Sequence, residues 1–194
     1  SLIGGFDFNR NKFNHVTQAW RQPGSSFKPF IYSGALEKGF TPASIVQDDP
    51  ISFPASVTGS RAWEPKNYDG KYEGAMRLRT ALAKSKNMVS IRLLQASGVQ
   101  FIQDYATRFG FDADKHPAYL TMALGAGSVT PWQMVAGYSV FANGGYRVQP
   151  YIVRDIRDAN GNVLAESKPV TAGDESLLVI DPRNAYLMDS MLRD

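Results

Sequence analysis

A chain of 194 residues that is 43% hydrophobic and 12% aromatic holds enough apolar material for one globular core. Its net charge of +3 comes from Lys and Arg scattered along the chain, which gives no basic stripe for nucleic acid. The absence of cysteine excludes disulfide frameworks, thiolate nucleophiles and cysteine-based zinc sites. The two histidines, His15 and His116, are too few and too separated for a metal site and are expected at the surface. No apolar run approaches the 18 or so residues that a membrane-crossing helix needs.

Residues 2–8 alternate loosely around Gly4-Gly5 and read as the end of a β-strand, followed by a turn at Asn9–Lys12. Pro23-Gly24-Ser25 stops the chain before Phe27, Phe30, Ile31, Ala35 and Leu36, whose spacing predicts a helix ending at Gly39. Residues 40–70 are rich in Pro, Ser, Asp and Gly and read as a long surface excursion. Met76, Leu78, Leu82 and Ala83 predict an amphipathic helix over 72–83, on which Lys71 and Arg79 are read as solvated charges. After a break at Ser85-Lys86-Asn87, a second helix runs to Ser97-Gly98 and a third covers about 99–109. Thr130-Pro131 supplies an N-cap followed by proline at the first helical position and opens a helix over 132–142. Asn160-Gly161, flanked by 151–157 and 162–165, predicts a β-hairpin. Asp181-Pro182 caps a last helix that the chain end cuts short. Trp20, Trp63 and Trp132 are read first as packing residues.

Two short motifs can carry chemistry. In Ser25-Ser26-Phe27-Lys28 the i, i+3 spacing puts Ser25 and Lys28 on one helical face. A serine hydroxyl needs a base to become a nucleophile, and a lysine acts as one only when burial or nearby cations bring its pKa down from about 10.4. In Ser85-Lys86-Asn87, a second hydroxyl can relay protons and an amide can orient the lysine and bind a substrate amide. Alone, the first motif is more simply a capping serine followed by a solvated lysine, and the second a plain helix break with a serine cap.

Together, in this order and about 60 residues apart, they resemble the first two motifs of penicillin-recognising serine enzymes. The flanking residues agree. Thr17–Phe30 resembles the active-serine segment of the bifunctional, class A penicillin-binding proteins, as do Asn67–Tyr72 and Leu78–Asn87 leading to the second motif. Ala123–Gly127 with Val129–Pro131, and then Phe141–Gly145, resembles the helix that follows in that family.

The resemblance implies an α/β fold of the α+β type, an antiparallel sheet flanked by helices, here incomplete. It implies that residues 1–194 form a partial transpeptidase domain ending before the third motif, Lys-Thr/Ser-Gly. That motif is absent from the sequence, as are the family's glycosyltransferase domain and N-terminal membrane anchor. In the implied chemistry Ser25 attacks a stem peptide ending D-Ala-D-Ala, Lys28 is its base, Ser85 shuttles the proton and Asn87 holds the peptide. β-Lactams acylate Ser25, no cofactor is needed, and the setting is the outer face of the bacterial inner membrane. Trp63 and Tyr68 are candidates to line the substrate groove. Two alternatives stay open: a D,D-carboxypeptidase or β-lactamase on the same scaffold, and a non-catalytic β-lactam sensor. Residues 98–130 contain no Glu, which argues against a class A β-lactamase.

Overall fold

The computed structural model describes residues 3–58 and 61–194. The polypeptide enters without regular structure: residues 3–8 form no strand, and Leu2, part of the predicted one, lies outside the described residues. Ile3, Phe6 and Phe8 are exposed, and the segment is tied back at Gly4, whose carbonyl accepts from the His15 N–H at 2.7 Å. A 3₁₀ turn, Gly24–Phe27, leads directly into α1, Lys28–Glu37. The helix stops at Gly39, whose φ of 92° is a left-handed value open to glycine.

α1 is the axis of the fold, buried without interruption from Lys28 to Ala35. Around it pack α4 (Asn87–Ser97), α5 (Val99–Thr107) and α7 (Pro182–Leu192). An aromatic cluster of Phe27, Phe30, Phe109, Phe111 and Phe141 fills one end, with ring centroids 4.7–5.6 Å apart. At the middle of α1 the Ser33 hydroxyl donates to Asn184 Oδ1 on α7 at 2.9 Å, while Asn184 Nδ2 donates to the Ser33 carbonyl at 2.9 Å. This reciprocal pair satisfies buried polar groups and fixes α7 against α1.

The excursion 40–70 holds β1 (Ile45–Asp48) and a single turn, α2 (Ala55–Thr58). β1 pairs antiparallel with β2 (Gly74–Arg77), with Val46 opposite Met76. The expected helix over 72–83 is therefore a strand followed by a short α3 (Leu78–Ala83). Met76 is buried from the strand side, so its apolar character mimics a helical face that is not there. Lys71 is exposed but precedes β2 rather than riding a helix. Arg79 is not simply solvated: its guanidinium donates to the Ser190 carbonyl and hydroxyl and pairs with Asp194 at 3.1 Å, joining α3 to α7.

The later elements follow their sequence signals. α6, Pro131–Ala142, opens with a reciprocal cap, Gln133 N–H donating to Thr130 Oγ1 at 3.2 Å and Thr130 N–H to Gln133 Oε1 at 3.1 Å. β3 (Asp155–Arg157) and β4 (Val163–Glu166) form the predicted hairpin, its turn closed by Asp158 accepting from the Asn160 and Asn162 N–H groups. Asp181 caps α7 by accepting from Arg183 N–H at 2.8 Å. No helix among the described residues is long and apolar enough to cross a membrane.

Candidate active site

Ser25 lies in the 3₁₀ turn, exposed at the N-terminal end of α1. Three residues per 3₁₀ turn eclipse Ser25 and Lys28, which places the lysine one turn deeper along the same face. The turn is held from behind. Gly24 N–H donates to the Gly125 carbonyl, Arg21 and Val129 exchange two backbone hydrogen bonds of 2.9 Å, and Tyr138 donates its hydroxyl to the Ser26 carbonyl at 2.8 Å. Gly125, at φ 67°, closes the 3₁₀ helix Leu120–Leu124 so near the turn that a Cβ there would lie 2.1 Å from the Gly24 carbonyl oxygen. Only glycine permits that approach.

Lys28 is buried, at 1% exposure, and its amine faces the second motif. It donates to the Ser85 carbonyl at 2.6 Å, to Ser85 Oγ at 3.0 Å and to Asn87 Oδ1 at 2.7 Å. Among the described residues Ser25 Oγ has no hydrogen-bond partner, and the hydrogen bonds of the Lys28 amine go to Ser85 and Asn87. Burial lowers the Lys28 pKa from 10.5 to about 8.

Ser25, Ser85 and Asn87 line one cavity of about 440 Å³, with Tyr68 and Asp69 on one wall and Leu124 on another. Tyr68 is fully exposed at its edge. Trp63 does not reach this cavity. It stacks on Phe53 at 5.5 Å and lines a neighbouring one.

Ser85 has a φ of 53°, the one left-handed value on a non-glycine among the described residues. Strain of that kind persists only where surrounding contacts hold it. Here they converge on Lys86 and Asn67, which sequence reasoning left without a role. The Lys86 amine, 1% exposed, sits 3.0 Å from Asp69 and from Glu73 and 3.4 Å from Asp48, and donates to the Lys71 carbonyl at 3.2 Å. Burial works against its charge, but hydrogen bonds to Glu73 and Asp69 and the charge of Asp48 outweigh it and raise its pKa. Asn67, also buried, accepts from Asn87 N–H at 2.8 Å and Met88 N–H at 3.3 Å and so caps α4 from a distant segment. Its amide donates to Asp48 and to the Lys71 carbonyl, each at 2.7 Å. Asn87 Nδ2 donates to the Lys66 carbonyl at 2.8 Å.

His15 is exposed as expected, but His116 is not. Its ring is buried and stacks on Phe27 at 4.6 Å, directly beneath the Ser25 turn. Among the described residues neither ring nitrogen has a hydrogen-bond partner, and burial lowers its pKa. The imidazole acts as a flat apolar spacer between Phe27 and Phe111.

An exposed serine on a helix-opening turn, a buried low-pKa lysine one turn on, and a Ser-x-Asn turn against that lysine reproduce in space the first two motifs of the penicillin-recognising class of proteins. Residues 2–194 match the penicillin binding protein transpeptidase domain family, and the chain belongs to it. It is 50% identical over all 194 residues to penicillin-binding protein 1A of Neisseria flavescens and 49% identical over 169 residues to that of Pseudomonas aeruginosa. These alignments cover 100% and 87% of this chain but 24% and 20% of the relatives, so the chain spans about a quarter or less of their length. The crystal structure of penicillin-binding protein 1A from Haemophilus influenzae superposes with a TM-score of 0.92 at 40% identity, over 98% of this chain and 32% of that one.

Proposed function

We propose that this chain carries the acylation half-site of a D,D-transpeptidase that cross-links peptidoglycan stem peptides and is a target of β-lactams. The observation that carries the reading is the buried Lys28 amine set against Ser85 and Asn87 beneath an exposed Ser25. A neutral amine has two N–H groups and one lone pair. Its two N–H groups go to the acceptor-only oxygens, the Ser85 carbonyl and Asn87 Oδ1, which leaves the lone pair for a hydroxyl proton.

Ser25 Oγ attacks the carbonyl of the penultimate D-Ala, and its proton passes to Lys28, directly or through Ser85. The new Oγ–C bond forms as the C–N bond to the terminal D-Ala breaks, and the proton returns to that leaving amine by way of Ser85. An amine of a neighbouring stem then attacks the ester, its proton goes back through Lys28, and Ser25 is released. Catalytic hydrogen bonds that are open in a free site close when substrate binds, which accommodates the missing Ser25–Lys28 hydrogen bond. The Ser25 N–H, at the positive end of α1, supplies one oxyanion donor, worth about 2–4 kcal/mol. Asn87 holds the peptide side and Tyr68 lines the groove. The setting is the outer face of the bacterial inner membrane, in the cell envelope.

Fluorescent penicillin tests this on the complete gene product. Wild-type protein is labelled, Ser25→Ala is not, and mass spectrometry finds the adduct on Ser25. Labelling that survives Ser25→Ala removes the nucleophile assignment. Rapid turnover of a chromogenic cephalosporin points instead to a β-lactamase, and labelling without stem-peptide cross-linking to a sensor.

A further inference from the structure

We infer that Arg61, Trp63 and Tyr119 form a second subsite, one that takes a carboxylate on the upstream part of an extended peptide substrate. This deepens the transpeptidase reading and rests on it. These side chains line a cavity of about 480 Å³, large enough for more than one residue of a ligand, floored by Leu120 and Thr121.

The cavity is tied to the nucleophile by one rigid element. The 3₁₀ helix Leu120–Leu124 has its first residues in this cavity and its last, Leu124, in the cavity of Ser25. Beyond Leu124, Gly125 is bonded to Gly24 in the nucleophile turn. At about 2.0 Å per 3₁₀ residue the two ends are about 8 Å apart. Extended peptide covers that in two to three residues at about 3.3 Å each. A substrate acylated at Ser25 therefore reaches the second cavity with residues just upstream of the scissile bond.

Its lining specifies chemistry. Trp63 is held rigidly, exchanging backbone hydrogen bonds of 2.9 and 2.8 Å with Phe53 and stacking on that buried ring. Tyr119 is 68% exposed, an open aromatic face across the cavity. Arg61, two residues before Trp63, lines the same cavity. Its guanidinium is exposed and has no hydrogen-bond or ion-pair partner among the described residues. Among the described residues no carboxylate lines the cavity, and Glu64, beside Trp63 in the chain, accepts from the Ser52 hydroxyl. An unpaired guanidinium beside a rigid aromatic wall recognises a carboxylate attached to an apolar stem.

Three peptide probes test the subsite: a pentapeptide ending D-Ala-D-Ala with a free carboxylate upstream of the acylated residue, the same pentapeptide amidated there, and an acetylated tripeptide ending D-Ala-D-Ala. KM for D-Ala release is measured on the complete gene product and Kd on its Ser25→Ala form. The carboxylate pentapeptide is expected to bind about tenfold better than the amidated one, and Arg61→Gln to erase that preference while Arg61→Lys restores part of it. Equal binding of the two pentapeptides by wild-type protein overturns the proposal, as does a preference that persists in Arg61→Gln. A Trp63→Leu loss that appears only with a sugar-linked peptide assigns the cavity to glycan and overturns it too. If benzylpenicillin fails to acylate wild-type protein, the transpeptidase reading falls, while the Kd comparison still decides the subsite.

Discussion

The Lys28 amine lies 2.6 Å from the carbonyl oxygen of Ser85, a residue whose left-handed backbone turns both its carbonyl and its hydroxyl toward that amine. The strained turn and the low-pKa lysine are thus one device. A pKa of about 8 leaves about one amine in four neutral at pH 7.5, where an ordinary lysine has almost none. Acylation of Ser25 by benzylpenicillin is therefore expected to rise with pH and level off above about 8, following deprotonation of Lys28. Lys28→Met is expected to slow acylation about 10²–10⁴-fold. Stopped-flow acylation rates across pH 6–10 check both, and a flat profile in wild-type protein removes Lys28 as the base.

Gly125→Ala is expected to damage the Ser25 turn without touching Ser25. The added Cβ would meet the Gly24 carbonyl oxygen, and alanine also resists the φ of 67° at about 1–2 kcal/mol. The Ser25 turn must shift away, so penicillin acylation falls by at least about tenfold and the melting temperature drops. Gly144→Ala, also at positive φ but with open space around it, serves as the control for backbone strain alone.

Local signals made the helices that frame the site readable, while the contacts that hold the site were invisible in them. Thr130-Pro131, Asp181-Pro182 and Asn160-Gly161 each act over three or four residues, and the structure follows all three. The two motifs were readable because Ser25, Lys28, Ser85 and Asn87 stand at spacings that a turn or helix start fixes. The cap of α4 is different: it comes from Asn67, 20 residues before Asn87, and no periodicity announces it. Lys86 shows no role until β1 and β2 pair and bring Asp48 and Glu73 to it. Met76 misled for a related reason, since one buried residue in a four-residue strand fits a helical face equally well.

Lys86 supports the site through charge. Replacing it with Met leaves buried Asp48 without its cation and frees the segment bearing Asp69 and Glu73. Because Asp69 and Glu73 stay partly in water, the expected cost is near the low end for a broken buried pair, about 3 kcal/mol. Urea unfolding of Lys86→Met against wild type measures it. Lys86→Arg keeps the charge and is expected to lose less stability. In Lys86→Arg the saturating acylation rate should fall further than penicillin affinity, because the Ser85 turn is displaced while the cavity stays open.

His116 predicts how the fold responds to acid. Burial against Phe27 and Phe111 keeps the folded-state pKa below the 6.5 of an unfolded histidine, outweighing the pull of Asp112 and Asp114. Below pH 6.5 the unfolded chain therefore binds a proton that the native state refuses, and stability falls as pH drops from 6.5 toward the folded-state pKa. Among the described residues neither ring nitrogen makes a hydrogen bond that an apolar side chain would forfeit. His116→Leu is thus expected to flatten the fall in stability below pH 6.5 relative to wild type, losing at neutral pH the ring contacts with Phe27 and Phe111. Denaturation midpoints measured at half-unit pH steps decide it, and an unchanged acid slope in His116→Leu would show that other groups set it.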